Sequence, residues 1–270
     1  MRSRDYIPLV LLAGIAGFFV VKGTQNKREI PRRVRAPKDQ PVAESLSTRA
    51  DTARPDSTSV VQSAAANLRP ARPERDFAAI QTKIAEGAPG TYIRQMLLEQ
   101  HDSLTHWPER RLEAIRVFVD RSPSVPDFSS AYPLVAERVF DEWRQAGFPL
   151  NFDFVTDSSQ ADITIAWFAT IPSDDKDRLG TTIKTYDNEG WIVHATILIS
   201  TRSRGDGTPL AADLVAGIAR HEVGHALGLG HSGDRKDVMF PESTTPVIST
   251  ADRATLHFLY MLPPGPTKAP

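Results

Sequence analysis

The sequence predicts an α+β domain, and three observations carry the prediction. About five segments between residues 115 and 200 have strand length and apolar alternation, a single amphipathic helix interrupts them near residues 130–146, and two long helices follow between 211 and 260. Taken in order, Phe77 to Glu86 and Tyr92 to Glu99 read as two short helices separated by Gly87-Ala88-Pro89-Gly90, with Thr91 as the second cap. Ile115 to Val119 alternates as a half-buried strand. Ser129 or Ser130 then caps a helix whose Val135, Val139 and Trp143 share one face, and Gly147 stops it. Asn151 to Val155 and Ile163 to Phe168 read as strands, as do Leu179 to Thr185 and Trp191 to Ser200 around the turn Asp187-Asn188-Glu189-Gly190. The two closing helices run from Ala211 or Asp213 to Leu227 and from Thr250 or Asp252 to Tyr260, with Pro263 and Pro264 expected to end the fold.

Upstream of this domain the composition changes twice. Arg2 and Arg4 precede the uncharged run Ile7 to Val21, whose 15 residues span roughly 22 Å as a helix against the ~30 Å of a hydrocarbon core. Residues 1–21 therefore read as an export signal or membrane anchor; the small residues that a cleavage site wants lie inside the run, which favours the anchor. Residues 22–75 hold twelve Lys or Arg, six Asp or Glu, six Pro and no aromatic residue, a mixture that cannot bury enough apolar surface to offset chain entropy and is expected to be a disordered basic tether. With +1 on residues 1–21 and +6 on 22–75, the formal total of −1 leaves −8 on residues 76–270, which argues against nucleic acid as a partner. The chain has no cysteine, so disulfides, thiolate metal sites and cysteine nucleophiles are excluded, and any metal must be held by His, Asp or Glu.

One stretch carries chemistry: His221-Glu222-Val223-Gly224-His225-Ala226-Leu227-Gly228-Leu229-Gly230-His231. Residues four apart share a helix face, so His221 and His225 can present two imidazole nitrogens to one zinc. Gly228 can adopt the left-handed conformation that ends the helix and turns the chain back, making His231 a third ligand. Three protein ligands leave a fourth position open, which marks a catalytic zinc rather than a structural one, and Glu222 stands beside it as general base for a water. That constellation points to amide hydrolysis. His101 and His106 lack a partner at a ligating spacing and read as surface loop residues.

The stretch resembles the metzincin clan of zinc endopeptidases, whose pattern is H-E-x-x-H-x-x-G-x-x-H followed by a Met-turn. Val238-Met239-Phe240-Pro241 supplies that turn eight residues past His231, and this spacing, together with Ser232 and the Gly224 to Leu229 core, is similar to the matrixin branch. Ala161 to Trp167 is similar to the family's third strand, and Asp252 with Leu259-Tyr260 to its last helix, so the likeness covers roughly residues 110–262. It implies a zincin-like domain with a mixed, twisted sheet of about five strands and three main helices, Met239 as a floor beneath the metal, and a substrate strand aligned on an edge strand, here Leu179 to Thr185. Asp252 either orients the Met-turn or serves as a carboxylate at a helix start.

Departures from the family pattern are informative. The region of the family's structural zinc offers only His194, with Thr181 where a ligand His is expected, so that ion is expected to be absent and His194 to be a strand residue. The loop Ser173 to Asp177 is acidic but lacks EF-hand spacing and its Gly, leaving Ca2+ without support. Without Cys a thiol-on-zinc latency is unavailable, and Phe240 after Met239 leaves no tyrosine beside the Met-turn.

The sequence thus describes residues 1–21 as signal or anchor, 22–75 as linker, 76–109 as a short helical segment, 110–262 as a matrixin-like peptidase domain and 263–270 as a tail. The expected protein is exported, anchored at the cell envelope or secreted, and monomeric. It carries one Zn2+ on His221, His225 and His231, uses Glu222 as base and acts on protein or peptide. The rival reading is a non-catalytic envelope module that keeps a zinc-stabilised fold and holds peptides in the edge-strand groove.

Overall fold

A computed structural model describes residues 75–108, 113–149, 151–171, 178–203, 205–242 and 245–269. The expected signal or anchor (1–21), nearly all of the linker (22–75) and the acidic loop 173–177 lie outside the described residues. Among the described residues no helix is long and apolar enough to cross a membrane.

Residues Arg75–Pro270 form one compact unit. Its centre is a sheet of β2 (Ile115–Val119), β3 (Phe152–Phe154), β4 (Ile163–Phe168), β5 (Gly180–Tyr186) and β6 (Ile192–Ser200), in the spatial order β3-β2-β4-β6-β5. β2, β3, β4 and β6 run parallel, while β5 is antiparallel to β6 and forms one edge, giving the expected mixed sheet. Ile115, Val117, Ile163, Ile165, Ala195, Ile197 and Ile199 alternate into the core with no more than traces of exposure, as period-two patterning requires. α3 (Ala131–Gln145) and α4 (Ala212–Ala226) pack together and on the sheet through Val139, Trp143, Val215, Ala219 and Val223; α5 (Thr250–Tyr260) closes the unit.

Two boundaries differ from the sequence reading. The helices α1 (Phe77–Gly87) and α2 (Ile93–Glu99) belong to the same unit as residues 110–262, because Ile80, Ile84, Ile93, Met96 and Leu97 are buried in the common core. The fold also continues past Pro263-Pro264: β7 (Gly265–Pro266) pairs with β1 (Ser103–Leu104), and the buried Thr267 donates both its N–H and its hydroxyl to the Asp102 carbonyl. Two-residue strands carry no periodicity from which they could have been read. His106 is likewise buried rather than a surface loop residue. Its ring lies against Trp191 and Tyr260, with Nδ1 2.9 Å from the Trp107 carbonyl and Nε2 2.9 Å from the Leu262 carbonyl.

The C-terminus of α4 is finished from outside the helix. Its last carbonyls would be orphaned, but the Trp107 indole donates to Ala226 at 2.8 Å and the Tyr260 hydroxyl to Leu227 at 2.9 Å. Gly228 then turns the chain with φ +105°, and a Cβ there would stand 2.3 Å from the Thr105 carbonyl oxygen, so only glycine fits.

Candidate active site

His221 and His225 occupy one face of α4, and the turn at Gly228 brings His231 to meet them; one ring nitrogen from each lies within 4.8 Å of the others. Each Nδ1 is committed elsewhere. His221 donates to the Val238 carbonyl at 2.8 Å, His225 to the Leu229 carbonyl at 2.9 Å and His231 to Glu99 Oε1 at 2.6 Å. Carbonyl oxygens only accept, so the neutral tautomers of His221 and His225 leave both Nε2 atoms as bare acceptors, and these face each other at 3.0 Å. Two partly buried lone pairs pointing at one another repel unless a cation lies between them. Nitrogens on a tetrahedral zinc stand about 3.4 Å apart, so the arrangement fits that ion with small adjustment. Burial lowers the His221 pKa to about 4 and holds that of His225 well below its ordinary value, keeping both rings in the neutral form that binds metal. Among the described residues this is the one group of three His, Asp or Glu side chains able to hold a metal.

Glu222 points from the same turn of α4 toward β5 and is 6% exposed. The Thr182 hydroxyl lies 2.7 Å from Glu222 Oε2 and 2.9 Å from the Glu222 backbone carbonyl oxygen. Burial pushes the Glu222 carboxyl up to about 7, against the opposing hydrogen bond from Thr182. Gly180 lets β5 come this close, since a Cβ there would be 2.6 Å from Glu222 Oε1.

The turn after His231 locks beneath the helix. Met239 is fully buried, and a Cβ on Gly224 would meet its Sδ at 2.3 Å, so the thioether lies flat against the bare backbone between the two helical histidines. The Met239 carbonyl accepts from Ser232 N–H at 2.9 Å, and the Ser232 hydroxyl donates to Asp237. Asp252, fully buried, fills both roles open to it in the sequence. It completes a capping box with Ser249 at the start of α5, and it also accepts from Val238 N–H at 2.9 Å and from Met239 N–H at 3.4 Å. His194 is a half-buried strand residue paired with Thr185, with Nε2 3.2 Å from Thr196 Oγ1, while Thr181 pairs with Leu198 further along β5.

Three residues at the site gave no sequence signal. Glu99 reaches His231 from α2, Thr182 reaches Glu222 from β5, and the Tyr92 hydroxyl donates to Asp252 at 3.1 Å. They lie 132, 40 and 160 residues from their partners, beyond any local pattern.

The matrixin family model matches residues 126–261, half of the chain, and this match contains the three histidines, Glu222, Met239 and Asp252. The chain belongs to the matrixin family. Its relatives include two metalloendoproteinases of Arabidopsis thaliana: 2-MMP, 28% identical over 154 residues (52% of this chain, 37% of that protein), and 1-MMP, 33% identical over 116 residues (40% of this chain, 30% of that protein). The aligned region thus spans about a third of these relatives. As a matrixin the chain has a zincin-type sheet and helix arrangement and a three-histidine site of the kind on which this zinc-dependent family is built.

Proposed function

We propose that this matrixin is a zinc-dependent endopeptidase, and that one observation carries the proposal: three imidazole nitrogens converge beside a buried carboxylate held by its own hydrogen bond. His221, His225 and His231 are the ligands of a single ion. When bound, zinc would supply Lewis acidity, lowering the pKa of a water and polarising the scissile carbonyl.

Glu222 is the general base. It takes a proton from the attacking water as the water oxygen bonds to the carbonyl carbon, and returns that proton to the amide nitrogen as the C–N bond breaks. Its place next to His221 on α4, with Thr182 holding one oxygen, lets the same carboxylate make both transfers. Thr182 ties down Oε2, which leaves Oε1 for the proton. Met239 floors the metal site, and Asp252 holds the Met-turn whose Val238 carbonyl orients His221.

The free edge of β5 supports a substrate strand aligned by main-chain hydrogen bonds, as in strand addition generally. The dibasic, apolar residues 1–21 and the basic composition of residues 22–75 support export and anchorage at the cell envelope, and the peptidase reading implies protein or peptide as substrate.

The test is cleavage of a diverse peptide mixture read by mass spectrometry, wild type beside Glu222→Gln, with zinc content measured on both. The expected result is fragments from the wild type, a loss of about 10²–10⁴ in rate for the variant, and equal zinc in each. Zinc in both with no fragments from either would overturn the enzymatic reading in favour of a peptide-holding module.

A further inference from the structure

His221 and His225 are held in register by α4, but His231 lies beyond the helix end at Gly228 on an irregular turn, so its ring needs another source of orientation. That source is not a carbonyl, as for the other two histidines. Glu99 Oε2 accepts the backbone N–H of His231 at 3.0 Å while Oε1 accepts its Nδ1–H at 2.6 Å, so one carboxylate fixes both main chain and ring. The pair is largely screened from solvent, with 14% of the His231 side chain and 22% of the Glu99 side chain exposed.

Glu99 ends α2, which lies outside residues 126–261, the part by which the family is recognised. A second, independent feature shows that the chain is built for this approach. Gly230 and Gly233 flank His231, and a Cβ on Gly230 would stand 3.0 Å from Glu99 Oε2 and from Gln100 Nε2, while one on Gly233 would stand 2.9 Å from Gln95 Oε1. The bare backbone on either side of the histidine is the surface on which α2 docks. The helix is anchored there by buried Ile93, Met96 and Leu97 and by the Tyr92 N–H bond to Thr255 Oγ1 at 3.0 Å.

We infer that Glu99 is the positioning carboxylate of the third metal ligand, which makes α2 a constituent of the metal centre. An anionic acceptor on Nδ1–H fixes the tautomer that bares Nε2, sets the ring plane, and raises the basicity of the nitrogen that meets the metal. The segment of residues 75–108 therefore completes the site instead of covering it, and silencing the enzyme by removal or displacement of this segment would act through loss of metal.

The inference rests on the zinc reading above, and its test separates the two. Full-length wild type, Glu99→Gln and Val117→Ala, a truncation in the sheet core away from α2, are compared for zinc affinity by competition with a chelator, for the ligand-field absorption of the cobalt(II)-loaded protein, and for melting of the metal-free protein. Glu99→Gln should weaken zinc binding by about 10- to 100-fold and shift the cobalt spectrum. Val117→Ala should lower the melting temperature while leaving affinity and spectrum close to wild type, because the carboxylate and the helix that carries it stay in place. Unchanged affinity in Glu99→Gln overturns the inference, and so does an equal loss in Val117→Ala, which would assign the effect to general destabilisation. A wild type that binds no zinc overturns the zinc reading itself.

Discussion

Replacing Asp252 by alanine should cost more stability than any other single carboxylate removal near the site. Its two oxygens serve four donors: Val238 N–H and Ser249 N–H at 2.9 Å on Oδ2, and the Tyr92 hydroxyl at 3.1 Å with Met239 N–H at 3.4 Å on Oδ1. Three of these bonds are buried, and Asp252 itself is fully buried, so water cannot replace the missing acceptor. A buried donor left without a partner costs about 1–3 kcal/mol, and with the longest bond at the low end the three together amount to roughly 4–6 kcal/mol. That is a large share of the ~5–15 kcal/mol that holds a domain folded. Asn keeps one acceptor for Val238 and Ser249 and can donate to the Tyr92 oxygen, opposing only Met239 N–H, so Asp252→Asn should lose roughly 1–3 kcal/mol. The assay is urea unfolding of the metal-free protein. At a slope of about 2 kcal/mol/M, the alanine variant should unfold 2–3 M earlier than wild type and the asparagine variant about 1 M earlier. Tyr92→Phe should be destabilising in the wild-type background and nearly neutral on top of Asp252→Ala, since the bond it removes is already gone. A midpoint shift below about 0.5 M for Asp252→Ala, or the same shift for both substitutions, would refute the reasoning.

Other predictions follow from the same geometry. Thr182→Val removes the hydroxyl that ties down Glu222 at nearly constant volume, so kcat should fall about tenfold with zinc affinity unchanged; a fall in zinc affinity would contradict the assignment. Gly228→Ala places a Cβ at 2.3 Å from a backbone oxygen at a φ of +105°, and the metal-free protein should lose at least about 2 kcal/mol, with an unaltered melting temperature as the contrary result. Chelation should lower the melting temperature, and restoring zinc at 100 times its dissociation constant should return about 2.7 kcal/mol, because only the folded chain brings the three histidines together. Equal melting with and without zinc would argue against a formed site.

What the sequence revealed and what it hid divide along local and distant contacts. His221 and His225 at four-residue spacing, Gly228 at the helix end and the alternation of Ile163 to Phe168 are consequences of helix and strand geometry, so they are visible in a few residues of text. The positions of the expected strands and helices agree with the structure for the same reason. Glu99, Thr182 and Tyr92 are ordinary residues on a helix end, a strand and a cap, and become part of the site only when tertiary packing places them against His231, Glu222 and Asp252. The burial of His106 had a faint signal, since Leu104 and Trp107 flank it and both are fully buried. The β1–β7 pair had none, because its register joins Ser103 to Pro266 and Leu104 to Gly265, residues far apart in sequence.

The central claim is that the three histidines and Glu222 form a zinc-dependent hydrolytic centre. Its most direct test is the rate of cleavage of an unfolded protein substrate by the full chain as zinc is stripped and then titrated back, with Glu222→Ala run alongside. Activity that returns in proportion to zinc and saturates at one ion per chain, with none from the variant, is the predicted result. Cleavage that survives without zinc, or that the variant retains, would contradict it.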